Sequence, residues 1–245
     1  MICCHLIRLS KIQTCGQDLN DMIDIISATR FSENDFWERS ALGLSLRRLA
    51  YDQRLVAHVA FNNRQGLPDI YNAHIAEETG SDIIVFIHDD VWIDDYFFAD
   101  RLIEGVRTYD VIGVAGNRRR VAYQPAWAFV DLDFTWDDRA NLSGAVAHGN
   151  THCGPVSYFG KTPADCELLD GVLLASKRSV LTSKGVAFDR RFKFHFYDLD
   201  FCRSARWRGL RLATWPICLT HQSGGGFGSP EWHDSYCNYI EKWED

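Results

Sequence analysis

The sequence predicts an α/β domain built on a mostly parallel sheet. Strand-like and helix-like segments alternate along most of the chain. The run IIVFI (Ile83 to Ile87) is continuously apolar, as in strands covered on both faces. The chain also has the bulk for one sizeable core, with 245 residues, 46% of them hydrophobic and 24% charged.

The first 22 residues lack clear periodicity and read as an extension; residues 23–245 then read as one domain. DIISATR (Asp24 to Arg30) is a short buried strand ending in polar residues. In SALGLSLRRLAY, Leu42, Leu46 and Leu49 fall on one helical face and Ser40 is the expected N-cap. LVAHVAF is a strand followed by the NNRQG turn. LPDIYNAHIAEETG is a helix with Pro68 near its start and Gly80 at its end. After IIVFI, Asp94 is expected to cap a helix over DYFFADRLIEGVRTY, and DVIGVAG is the next strand. Residues 117–165 are aromatic-rich and looser, with room for a short antiparallel ribbon. LLDGVLLASKRSVLTSKG reads as strand then helix, YDLDFCRSARWRG as a helix closed by Gly209, and LRLATWP as a last strand. SGGGFGSPEW is a loop before a short C-terminal helical segment.

Composition excludes some partners. A net charge of −7 argues against broad binding to nucleic acid or anionic membrane, although Arg118 to Arg120 and Arg203, Arg206, Arg208 and Arg211 are basic spots that could meet phosphates. No apolar run reaches the roughly 18 residues of a membrane helix, and the N-terminal MICCHLIRLSK is too broken for a secretory signal. Eight cysteines without a C-x-x-C pair look like reduced thiols, so a cytoplasmic location is expected, with peripheral membrane contact left open. Cys3, Cys4, His5 and Cys15 could share a zinc ion, but their spacing fits no common site.

Three features carry chemistry. His88, Asp89 and Asp90 follow IIVFI, and ligands of open α/β sheets bind beyond the carboxyl ends of strands. Such an aspartate pair suits Mg²⁺ or Mn²⁺ held together with substrate phosphates; it equally suits a solvated turn. Asp198 and Asp200 form a second cluster, readable as helix-start residues or as the source of a general base. His221, in LTHQSGGG, stands at a strand exit as either a structural residue or a ligand.

The order ISATR, N-x-x-G-L-x-x-x-Y-N (Asn63 to Asn72), VFIHDD, LDG, YDLDFCR and TH resembles the GT-A glycosyltransferases of family-two type, over about Ile23 to Gly226. The likeness is to a small branch that carries HDDV in place of D-x-D. It implies a Rossmann-like α/β sandwich whose residues 23–116 bind a nucleotide-sugar, a UDP-sugar first, and whose residues 117–245 bind a carbohydrate or glycoconjugate acceptor. It places Asp90 on a divalent cation, Mn²⁺ or Mg²⁺, with His221 and His88 as further ligand candidates. Asp89 would lie near the donor ribose or metal waters. Ser27, Thr29 and Arg30 would hold the base, with Asn63 and Asn72 in the helix-start motif of the donor half. Asp170 and Gly171 would flank the sugar and acceptor, and Asp198 would be the catalytic base.

Three departures stand out: His88 replaces the first acid of D-x-D, Tyr197 replaces the Glu before the base, and no D-D-G-S-T-D strand follows the first helix. The implied reaction transfers a sugar to a hydroxyl with inversion. Trp127, Trp136, Tyr158, Phe159 and Trp207 are candidates to stack on sugar or acceptor, and SGGGFG to close over the donor. A nucleotidyltransferase is the nearest alternative, but ATRFSEND lacks that class's glycine-rich basic loop; a silent nucleotide-sugar binder or a hydrolase would also use these acids.

Overall fold

The computed structural model describes residues 21–244. The possible zinc set of Cys3, Cys4, His5 and Cys15 lies outside them, as does most of the expected N-terminal extension. In chain order the elements are β1 (Ile23–Ala28), α1 (Glu33–Arg39), α2 (Ala41–Arg48), β2 (Leu55–Ala60), α3 (Leu67–Ile75), β3 (Ile83–Ile87) and β4 (Val91–Ile93). They continue with α4 (Phe98–Thr108), β5 (Val111–Gly113), β6 (Ala115–Asn117), β7 (Leu142–His148), β8 (Val156–Gly160), β9 (Ala164–Cys166) and β10 (Leu168–Leu169). The last are β11 (Leu173–Lys177), α5 (Arg178–Lys184), α6 (Tyr197–Trp207), β12 (Leu212–Thr214), β13 (Leu219–His221) and α7 (Pro230–Trp243).

The larger sheet has the order β2-β1-β3-β11-β5-β12-β9. β3 is buried along its whole length, as its apolar run predicts. The sheet is more mixed than the mostly parallel one expected. β2, β1 and β3 are parallel, as are β5 and β12, but β11 runs antiparallel between β3 and β5. That reversal has a consequence for the site. Leu173 pairs with Ile87, so the residues just before β11, Asp170 and Gly171, arrive at the carboxyl end of β3.

The second sheet has the order β10-β6-β7-β13-β4, with β8 added on β7 as the antiparallel ribbon expected in the middle region. Here β13 pairs with β4 so that His221 stands opposite Val91. The buried apolar side chains form one connected cluster running from Ile23 to Tyr239. Among the described residues no helix is long and apolar enough to cross a membrane.

Local chemistry explains several boundaries. Ser40 caps α2 as expected, its hydroxyl accepting from Gly43 N at 2.9 Å while also donating to Phe36 O at the end of α1. The α1 helix itself, capped by Ser32, has no counterpart in the sequence reading, because its seven residues are too few to show a period. Asp94 does not cap α4. Its carboxylate accepts from the Thr220 hydroxyl at 2.6 Å and from Cys153 N at 3.1 Å, tying β4 to β13, and α4 begins only at Phe98. Likewise α3 ends at Ile75, with Ala76 as its C-cap, rather than at Gly80. Gly80 instead makes room for a buried ion pair, since a Cβ there would lie 2.3 Å from Arg178 Nη2.

That pair joins Arg178 Nη2 to Asp24 Oδ2 at 2.6 Å, on side chains only 8% and 4% exposed. Asp24 also accepts from Ser81 N and Ser81 Oγ, both at 2.9 Å, at the end of β1 remote from His88. Burial alone would raise its pKa, but hydrogen bonds from His58 and Ser81 hold it below the ordinary carboxylate value. Removing one member of such a pair strands the other charge. Asp24→Ala is therefore expected to cost about 3–5 kcal/mol in urea unfolding; a loss under about 1 kcal/mol, the range of exposed pairs, would show that the pair is not effectively buried.

Candidate active site

A cavity of about 700 Å³ opens beyond the carboxyl end of β3. Its lining includes His88, Asp89 and Asp90 from that strand end, and Asp170 and Gly171 from the start of β11. Asp198 comes from the first turn of α6, and His221 from the end of β13. Four aspartates line it, and among the described residues that line it there is no lysine or arginine. The basic spots expected to meet phosphates are elsewhere: Arg119 pairs with Asp137, Arg206 with Glu167 at 2.6 Å, and Arg203 lies over the Trp243 ring.

His88, Asp90 and His221 place one ligand atom each within 4.8 Å of one another. The β4–β13 pairing brings His221 there, since Gln222 N also donates to Asp90 O at 3.0 Å. His221 Nε2 is 3.2 Å from Asp90 Oδ1, yet that oxygen is buried without a well-formed hydrogen bond. A buried carboxylate oxygen with no donor aimed at it suits a cation. Two imidazoles beside one carboxylate favour a first-row transition dication such as Mn²⁺ over Mg²⁺.

The neighbouring carboxyls titrate apart. Burial would raise Asp90, but the close contact with His221 and the charge of that ring pull it down to about 2. Burial lowers His221 too, and Asp90 outweighs it, leaving its pKa raised. Burial dominates at His88, whose pKa is lowered, which favours the uncharged ring. Asp89 is raised, by burial first and by the Asp90 charge, despite a 2.5 Å hydrogen bond from Thr29 Oγ1.

Asp198 sits where β11 and α6 meet. Its Oδ2 accepts from Gly171 N at 2.9 Å and its Oδ1 from Leu199 N at 2.9 Å. Burial, then the Asp170 charge, push its pKa up to about 7 against those two amide hydrogen bonds. A carboxyl with a pKa near neutrality is matched to proton abstraction at that pH. Asp170 accepts from Trp127 Nε1 at 2.7 Å and from Val172 N at 2.9 Å.

The structure separates other candidates from this group. Asp200, paired with Asp198 in the sequence, is fully buried and turned to α7, with Lys242 Nζ at 2.6 Å and Trp243 Nε1 at 2.9 Å. Asn72 is used structurally: its amide donates to Phe188 O at 2.7 Å and accepts from Phe188 N at 2.9 Å. Asn63 bonds to Gln65 within its own loop. Neither lines the cavity, and neither do Ser27, Thr29 or Arg30, although Thr29 reaches the site through Asp89. Ser27 Oγ is buried without a hydrogen-bond partner.

Trp127, Trp136 and Phe159 line the cavity, with the Trp136 and Phe159 rings stacked at 5.9 Å; Tyr158 and Trp207 do not. Phe227 of the glycine-rich loop also lines it and packs edge-on against Phe129. His148, at the end of β7, and Phe194 and His195, in an irregular stretch before α6, belong to the lining but had no signal in the sequence.

No protein-family model matches the chain, and no curated protein sequence does. Among solved structures it is similar to GalNAc-T7 with UDP, GalNAc and Mn²⁺, with TM-score 0.53 and 9% identity over 91% of this chain and 49% of that one. It thus spans about half the length of that chain. Looser likenesses are to the catalytic domain of Drosophila β1,4-galactosyltransferase 7 with xylobiose (TM-score 0.48, 9% identity, 88% and 79% covered) and to mannosyltransferase PcManGT of Pyrobaculum calidifontis with GDP-Man and Mn²⁺ (0.47, 14%, 91% and 64%). The fold is that of the GT-A glycosyltransferases.

The raised pKa of Asp198 makes a stability prediction. Below about pH 4 the carboxyl is protonated in both folded and unfolded chains. From there to about pH 7 only the folded chain holds the proton, so ionisation at higher pH costs stability. Asp198→Asn removes that ionisation. Its melting temperature relative to the wild type's should rise from pH 4 to pH 8; a difference independent of pH would contradict the assignment.

Proposed function

We propose that this chain is a divalent-cation-dependent glycosyltransferase of family-two type. It would move a sugar from a nucleoside-diphosphate donor, a UDP-sugar first, to the hydroxyl of a carbohydrate or glycoconjugate acceptor. One observation carries the reading: a three-residue cation seat and a carboxyl with pKa about 7 share a single cavity whose described lining holds four aspartates and no lysine or arginine. A diphosphate is repelled by those carboxylates, and no lysine or arginine of the lining offsets the repulsion.

His88, Asp90 and His221 would hold the cation, which supplies charge neutralisation for the departing diphosphate. Asp198 takes the proton from the acceptor hydroxyl as its oxygen bonds to the anomeric carbon. The bond from that carbon to the diphosphate oxygen breaks on the opposite face, so the configuration inverts. Asp170, braced by Trp127 Nε1, flanks the reacting sugar, and the wall of Trp127, Trp136 and Phe159 supplies apolar surface for a ring face. On this reading residues 23–116 supply the donor side and 117–245 the acceptor side. Thr29 would act by orienting Asp89.

The test incubates the protein with a panel of nucleotide-sugars and acceptors with Mn²⁺ or EDTA, and measures nucleoside diphosphate release. Release should require metal and vanish in Asp90→Ala. Asp198→Asn should keep donor binding but lose about 10²–10⁴-fold in transfer rate. Wild-type rate should rise with pH through about 7 as Asp198 ionises. Release of pyrophosphate instead, or unaltered transfer by Asp198→Asn, would overturn the reading.

A further inference from the structure

We propose that Tyr197 is a positioning residue that fixes the tautomer of His88, leaving the His88 Nδ1 lone pair for the cation. The proposal rests on the cation seat of the preceding section and adds a residue that the seat itself does not contain.

Proton counting fixes the tautomer. Tyr197 Oη lies 2.9 Å from the Gly171 carbonyl oxygen and 2.7 Å from His88 Nε2. A carbonyl oxygen can only accept, so the single hydroxyl proton of Tyr197 is committed to Gly171. Toward His88 the same oxygen can then only accept, and Nε2 must carry the ring hydrogen. Nδ1 is left as the nitrogen with a free lone pair. The opposite tautomer would aim an N–H from Nδ1 and leave two acceptors facing each other across the 2.7 Å contact.

The surroundings hold this arrangement in place. Tyr197 is 2% exposed, which keeps bulk water from competing for its hydroxyl. The His88 ring stacks on Phe194 with centroids 6.0 Å apart and planes 22° from parallel. Gly171 admits the contact because it has no side chain: a Cβ there would lie 2.3 Å from Tyr197 Oη. The same glycine donates its N–H to Asp198 Oδ2 at 2.9 Å. Consecutive residues of α6 therefore grip one glycine by its two polar groups. Tyr197 carries the geometry toward the cation seat, and Asp198 toward the base. A ligating histidine normally donates its other ring N–H to an oxygen acceptor, and loss of such a partner costs about 10–100-fold in metal affinity.

Two measurements test this. Long-range ¹H–¹⁵N spectra of the metal-free wild type should show His88, assigned by the signal missing in His88→Gln, as the Nε2–H tautomer. Titration calorimetry with Mn²⁺ alone should give a 10–100-fold weaker dissociation constant for Tyr197→Phe than for wild type. An Nδ1–H tautomer in the wild type overturns the proposal whether or not the variant folds. Equal Mn²⁺ affinity in the two proteins also overturns it, even if the variant melts earlier, since a purely structural tyrosine would do only that. A wild type that binds no Mn²⁺ removes the cation seat itself, and with it the reading on which this proposal stands.

Discussion

The site is organised by a charge imbalance. Four aspartates line one cavity with no lysine or arginine among the lining residues described. At an effective dielectric of about 20, two like charges about 4 Å apart repel by about 4 kcal/mol. The protein relieves part of this internally. Asp89 takes a proton more readily because it is buried, Asp198 does so near pH 7, and Asp90 is held ionised between two histidines. What is left is a negative pocket with one buried carboxylate oxygen that lacks a well-formed hydrogen bond. A cation there would neutralise the pocket and make it hospitable to a diphosphate.

Two features of the fold bring these groups together. β11 runs against β3, so Asp170 and Gly171 meet His88. β13 runs against β4, so His221 meets Asp90. The first turn of α6 then presses Tyr197 and Asp198 onto Gly171. Each contact is a backbone consequence before it is a side-chain one. The distant Asp24–Arg178 pair braces β1 against the start of α5 at the sheet's opposite end.

Much of this was legible in the sequence. IIVFI declared a strand covered on both faces, and its exit into HDD located the cavity. Ser40 was legible as a cap because capping is local chemistry. Asp94 was not: the same residue type caps helices and ties strands, and only the β4–β13 pairing decides between them. By residue chemistry alone Asp198 and Asp200 were indistinguishable in YDLD, and only the resemblance singled out Asp198; two positions along a helix turn one to Gly171 and the other to Lys242. Strand direction was the other blind spot, since an apolar strand such as β11 reads alike in either orientation. Tyr197 stood out only as a departure from a familiar pattern, and its role needs a distance to Gly171 that no spacing encodes.

The central claim is that this cavity accepts a nucleoside diphosphate only together with a cation. Calorimetric titration of UDP and of GDP into the protein, with Mn²⁺ and with EDTA, tests it most directly. Binding of at least one nucleotide with Mn²⁺, and none in EDTA, is the predicted result. Equal affinity in both buffers would contradict the account, because the diphosphate would then have found its countercharge somewhere other than His88, Asp90 and His221.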